Sequence, residues 1–99
     1  MLSPAEHALL DGLKRSLRDA FGERLRSMKL FGSRARGSGR DDSDLDVLVD
    51  VRGVTRAERG RILDLGADLS LAHDLVLSLL VVRDGVRIPE EIARDAVSL

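Results

Sequence analysis

Cysteine, tryptophan and tyrosine are missing from this chain, and phenylalanine occurs only at positions 21 and 31. Without cysteine there is no disulfide framework and no thiolate metal site. With so few rings the core has to be aliphatic. Platforms on which bases stack are nearly absent, which disfavours single-strand nucleic-acid readers. Neither sign of charge dominates: 16 basic and 17 acidic residues leave a formal net charge of −1, so no bulk attraction to nucleic acid or to a membrane surface is implied. No apolar run approaches the ~18 residues a membrane span needs, and the N-terminal MLSPAEHALLDGLKR carries charges too early and too often for a signal peptide. A cytoplasmic protein is expected.

What is present fits one domain over 1–99, since 99 residues with 43% hydrophobic content supply one modest core and no second. Ser3-Pro4-Ala5-Glu6 reads as a capping box with proline at the first helical position. Leu9, Leu10, Leu13, Leu17, Ala20 and Phe21 follow at helical spacing, with Glu6, Asp11, Lys14, Arg15, Arg18 and Asp19 on the polar side, and Gly22 ends the helix. Arg24 to Phe31 is a half-polar strand predicted near a sheet edge, where its basic residues cost least. Leu45, Val47, Val49 and Val51 alternate with Asp44, Asp46, Leu48 and Asp50, the period of a strand with one greasy face and one acidic face.

Thr55 to Glu58 is a second capping box, opening a helix to about Ala72. Gly66 falls on that helix's apolar stripe and predicts close approach to a sheet. The nearly continuous apolar run Asp74 to Val82 predicts a central strand with Asp74 at its start. Pro89 begins a last short helix with Ile92, Ala96 and Val97 on one side. The order α-β-β-α-β-α gives an α/β (α+β) domain, a small mixed sheet with helices mainly on one face. The side bearing Val76, Leu80 and Val82 is left with little to cover it, and this face or the basic first helix is expected to meet another chain. A homo- or hetero-oligomer would satisfy that.

The stretch FGSRARGSGRDDSDLDVLVDV, Phe31 to Val51, carries the chemistry. Gly32 stops a strand, and Ser33 to Arg36 can form a single helical turn whose free N–H groups welcome an anion. Asp44 and Asp46, two apart on a strand, leave the same face about 7 Å apart along the backbone. Carboxylates so placed repel one another unless a cation lies between them. Mg2+ suits such a pair, because it accepts a few carboxylates and fills its other positions with water and phosphate oxygens. Asp74 would join them if its strand runs beside the first in the same direction. Three carboxylates around two metals ~3.5–4 Å apart suit in-line displacement at phosphorus. Asp44 and Asp46 are then ligands common to both ions. Asp74 binds the nucleophile-side ion or takes the attacking hydroxyl's proton. Gly32 and Ser33 hold phosphate, and Arg34 or Arg36 neutralises charge that develops during transfer.

Gly32-Ser33, ten residues, then Asp44-Leu45-Asp46 resembles the signature of the minimal nucleotidyltransferases in the DNA-polymerase-beta-like superfamily. FGSRARG and SDLDVLVD resemble that family too, and Ala72-His73-Asp74-Leu75-Val76 is similar to the segment with its third aspartate. The resemblance covers about residues 5 to 83. It implies the polymerase-beta-like fold and transfer of a nucleotidyl group, usually AMP from ATP, with Mg2+. It also implies an antitoxin that modifies a hydroxyl side chain of a HEPN-type toxin. The rival expectation is a binding module of the same fold that neutralises its partner by occlusion.

Other motifs fail on their own spacing. A calcium loop begun at Asp42 would need glycine and glutamate where Val47 and Gly53 stand. Ser38 occupies the lysine position of a Walker loop. A solvated acidic turn, Asp41 to Asp46 balanced by Arg34, Arg36 and Arg40, ignores the strand that follows and the Gly-Ser before it. Arg36 is open to a local pair with Asp41 or Asp42.

Overall fold

A computed structural model describes residues 2–37 and 44–99. Arg40, Asp41 and Asp42 of the charged loop lie outside the described residues. Helix α1 runs Pro4–Phe21, and its start is the capping box read from the sequence. The Glu6 N–H donates to Ser3 Oγ at 3.1 Å and the Ser3 N–H to Glu6 Oε1 at 2.7 Å. A 3-10 turn, Gly22–Arg24, leads into β1, Leu25–Phe31. Then come the one-turn helix α2, Ser33–Arg36, and β2, Leu45–Val51. Helix α3, Arg56–His73, opens on the second capping box, that of Thr55 and Glu58. The chain closes with β3, Leu77–Val82, α4, Glu90–Asp95, and β4, Val97–Ser98.

The four strands form one sheet in the order β3-β2-β1-β4. β1 is antiparallel to β2 and β4, while β2 and β3 are parallel. The alternation in β2 sorts its faces. Leu45, Val47, Val49 and Val51 are buried together with Leu9, Leu13 and Leu17 of α1 and Ile62 of α3. An ideal Cβ on Gly66 would lie 2.6 Å from Leu79 Cδ1, so that glycine is where α3 closes onto β3, as its place on the stripe suggested.

Several expectations need correcting. The apolar run after Asp74 is an edge strand rather than a central one, and it starts at Leu77. Its apolar residues are therefore only partly spent: Val76 is 59% and Leu80 40% exposed, while Val82 is half-buried. β1 is interior rather than an edge, although β4 covers it only at Lys29 and Leu30. Its basic residues are tolerated for local reasons. Arg24 precedes the strand, and Arg26 sits at a break in register between Leu25 and Ser27 that lets it reach solvent. The last helix stops at Asp95, and Val97 lies in β4, a strand the sequence reading missed.

Arg24 fastens the 3-10 turn to α3. Its guanidinium meets both Glu58 oxygens at 2.8 Å and also donates to the carbonyls of Arg52 and Gly53 at 3.1 Å. The Arg24 hydrogen bonds, helped by the Thr55 N–H, hold the Glu58 carboxyl down at about 2. A carboxyl lowered on folding stabilises the fold above its ordinary titration range and loses that contribution as pH falls towards the folded value. Acid titration followed by circular dichroism is therefore expected to show a loss of stability between pH of about 4.5 and 2. That loss should be smaller in Glu58→Gln.

Candidate active site

The site is built where β1 ends and β2 begins. Antiparallel register sets Phe31 opposite Asp46, so the residue after Phe31 turns directly over the Asp46 carboxylate. Gly32 makes that turn at φ 77°, a backbone conformation side chains resist. A Cβ there would stand 2.5 Å from Asp46 Oδ2. Glycine is required on both counts. Gly32→Ala is expected to destabilise the protein by about 2 kcal/mol or more, from left-handed strain plus overlap with the carboxylate, measured as a lower urea midpoint. Gly32 also caps α2, and Gly37, at φ 72°, ends it. Ser33 is thus the first residue of a helical turn beside Asp46.

Asp44 immediately precedes β2 and is exposed, and Asp46 is half-buried within the strand. Their spacing puts both on the face away from α1 and α3. Burial pushes the Asp46 carboxyl up, and the charge of Asp44 pushes it further. The two acids are therefore close enough to feel each other. A hard cation between them would relieve both the desolvation and the repulsion. On that ground Asp44 and Asp46 fit a Mg2+ site.

Asp74 is placed differently from its expected strand position. It is the cap at the C-terminal end of α3, in the left-handed conformation with φ 51° and ψ 45°, and it is exposed. β3 does run parallel to β2, and the Leu45 N–H donates to the Val76 carbonyl at 3.0 Å, so both strands start at the same end of the sheet. Yet the residue beside Asp46 on β3 is Ser78. Among the described residues no three His, Cys, Asp or Glu side chains gather as a metal cluster. A left-handed helix cap tolerates aspartate and asparagine. Asp74 takes that cap instead of the strand start.

The two arginines of the loop have separate surroundings. Arg34 turns inward and forms a two-pronged pair with Glu6, with Nη1 and Nη2 at 2.6 Å from Oε2 and Oε1, and both side chains are 5% exposed. Burial pushes the Glu6 carboxyl up. The hydrogen bonds from Arg34 and Ser3 outweigh this and hold it below the usual range. Glu6, assigned by periodicity to the solvated side of α1, is therefore buried, because it closes the cap and anchors α2 at once. Arg36 is half-exposed and meets Asp95 at 3.3 Å.

Comparison with known proteins points to one family. The model of the nucleotidyltransferase domain family matches residues 10–98. A protein adenylyltransferase, MntA, of Thermococcus cleftensis is 38% identical over 72 residues, 71% of this chain and 71% of the relative. A solved structure assigned as a minimal nucleotidyltransferase is 26% identical, with a TM-score of 0.64 over 100% of this chain and 97% of its own. A toxin–antitoxin crystal structure with AMP-PNP is 23% identical with a TM-score of 0.55, over 77% of this chain and 60% of that one. At that identity the likeness concerns the fold, and this chain spans less than two thirds of the latter protein's length.

Proposed function

Because this chain belongs to the nucleotidyltransferase domain family, we propose that it transfers AMP from ATP to a hydroxyl side chain of a partner protein, a HEPN-type toxin, and so acts as an antitoxin. The observation that carries the reading is the charge-strained Asp44–Asp46 pair, with Asp46 lying under the turn at Gly32. The similarity to a protein adenylyltransferase and to a toxin–antitoxin crystal structure with AMP-PNP supports the donor and the partner class. Asp44 and Asp46 would hold Mg2+, as two ions, which would supply positive charge against the phosphate oxygens.

The chain's own residues do the rest. Ser33 and the N–H groups of its turn hold the β- and γ-phosphates, and the half-exposed Arg36, at the same loop, neutralises charge that builds on them. Arg34, already spent on Glu6, fixes the turn's position. The attacking hydroxyl oxygen bonds to the α-phosphorus as the bond to the β-phosphate oxygen breaks. Pyrophosphate leaves, and the hydroxyl proton passes to a carboxylate at this end of the sheet, for which Asp74 is the exposed candidate.

The test is label transfer from ATP carrying radioactive α-phosphate to the partner chain, with Mg2+, comparing wild type with Asp44→Asn/Asp46→Asn. Transfer by wild type and none by the double variant is the expected result. Protection of cells that persists in the double variant would favour occlusion, a reading that the exposed Val76, just before the edge strand, and Leu80 within it also suit. Absence of label on any protein with wild type would sink the enzymatic proposal.

A further inference from the structure

At the opposite end of the sheet, where β2 and β3 finish, a cavity of about 610 Å³ is lined by Val54, Thr55, Arg56, Arg59, Arg83 and Asp84. A second cavity of about 280 Å³ shares Arg59 and Arg83 with it and adds Arg87. Asp44 precedes the first residue of β2 and Val54 comes three positions after its last, so roughly 20 Å of strand separates this place from Asp44.

The charges around it are unbalanced in one direction. Of the acids nearby, Glu58 is engaged by Arg24, and Asp84 accepts from the Gly53 N–H at 2.9 Å and from Arg26 at 3.2 Å. The side chains of Arg56, Arg59, Arg83 and Arg87 have no hydrogen bond or ion pair among the described residues. Arg59 goes further: its Nε is buried and has no acceptor. Buried N–H donors are nearly always satisfied, because an unmade bond there forfeits hydration with nothing in return.

We infer that this cavity is a second ligand site, separate from the transfer site, that takes a small molecule bearing two or more phosphates. Several guanidinium groups around one concave space match phosphate oxygens with paired N–H donors, and the cavity has the size of a small-molecule site. A nucleic-acid strand fits less well. The chain's net charge is −1, and its two aromatic residues, Phe21 and Phe31, do not line the cavity.

Isothermal titration of the whole chain in EDTA with inorganic tripolyphosphate tests this without metal at the carboxylate pair. Binding is expected in wild type and equally in Asp44→Asn/Asp46→Asn, with at least a tenfold loss in Arg56→Gln/Arg83→Gln. These two arginines are exposed, so the fold should survive, and Arg59→Gln is the sharper variant if circular dichroism shows it folded. ATP and a short single-stranded RNA are titrated in parallel. Preference for tripolyphosphate or ATP over RNA supports the site. No binding, binding that depends on the carboxylates rather than the arginines, or stronger binding of RNA or of poly-glutamate overturns it. Loss of label transfer has no bearing on any of these outcomes, so the two proposals fail separately.

Discussion

Asp46→Asn is expected to raise the melting temperature of the metal-free protein by about one to a few degrees while abolishing transfer. The reason is that the Asp46 charge is unfavourable where it sits, with burial and the Asp44 carboxylate both pushing its pKa up. Folding therefore binds protons at this group. Its sign is opposite to that of Glu58: the stability Asp46 gives is greatest at low pH and declines as pH rises through its raised titration range. Asparagine keeps the shape and removes the charge. Even a fraction of a kcal/mol is visible in a domain this small, where 1 kcal/mol moves the midpoint by roughly 4–8 °C. Added Mg2+ should reverse the order, stabilising wild type and leaving the variant unmoved. Calorimetry in EDTA and in Mg2+ measures both. A variant less stable than wild type in EDTA would remove the argument that this carboxylate is held at a cost for a cation.

Glu6→Ala should have the largest effect on folding, about 3–5 kcal/mol, the usual consequence of removing one member of a buried ion pair. Against a total stability of about 5–15 kcal/mol, that is a large fraction of what holds the fold. Three bonds are lost together: two from Arg34 and one from the Ser3 N–H. Glu6→Gln keeps an acceptor for Ser3 and should fall in between. The paired replacement Glu6→Leu/Arg34→Met removes both charges and should recover most of the stability, as apolar substitutes for buried pairs often do. If Arg34 serves to place the turn, transfer by that double variant should recover in part with the fold. Urea unfolding for the set, with transfer assayed on each folded member, separates support of the turn from contact with phosphate.

These effects divide along a line visible in the sequence. Both capping boxes, the one-turn helix at Ser33, the two faces of β2 and the close approach at Gly66 depend on residues a few positions apart. Backbone geometry of that range follows from side-chain type and spacing, and the structure has all of them. The acid pair was legible for the same reason, being two positions apart at the start of one strand. Misplaced elements depended on neighbours far along the chain. An apolar run such as Leu75 to Val82 reads the same whether one side of the strand is paired or both are. Its edge position comes from β1 and β4 lying on the far side of β2.

Asp74 and Glu6 show the same limit at single residues. Aspartate before an apolar run suits either a strand start or a left-handed helix cap, and the end of α3 decided for the cap. Glutamate three places after a helix-starting serine was bound to close that cap, but nothing local said that its carboxylate would also be reached by Arg34, 28 positions on. Residue order alone determined that a Gly-Ser turn and two aspartates would be carried on an alternating strand, since those relations span only a few residues of backbone. Which arginine is buried, which strand is the edge and where the third aspartate stands were decided only by tertiary packing. Desolvation and ion pairing depend on what the rest of the chain brings within a few ångströms, and sequence distance does not measure that.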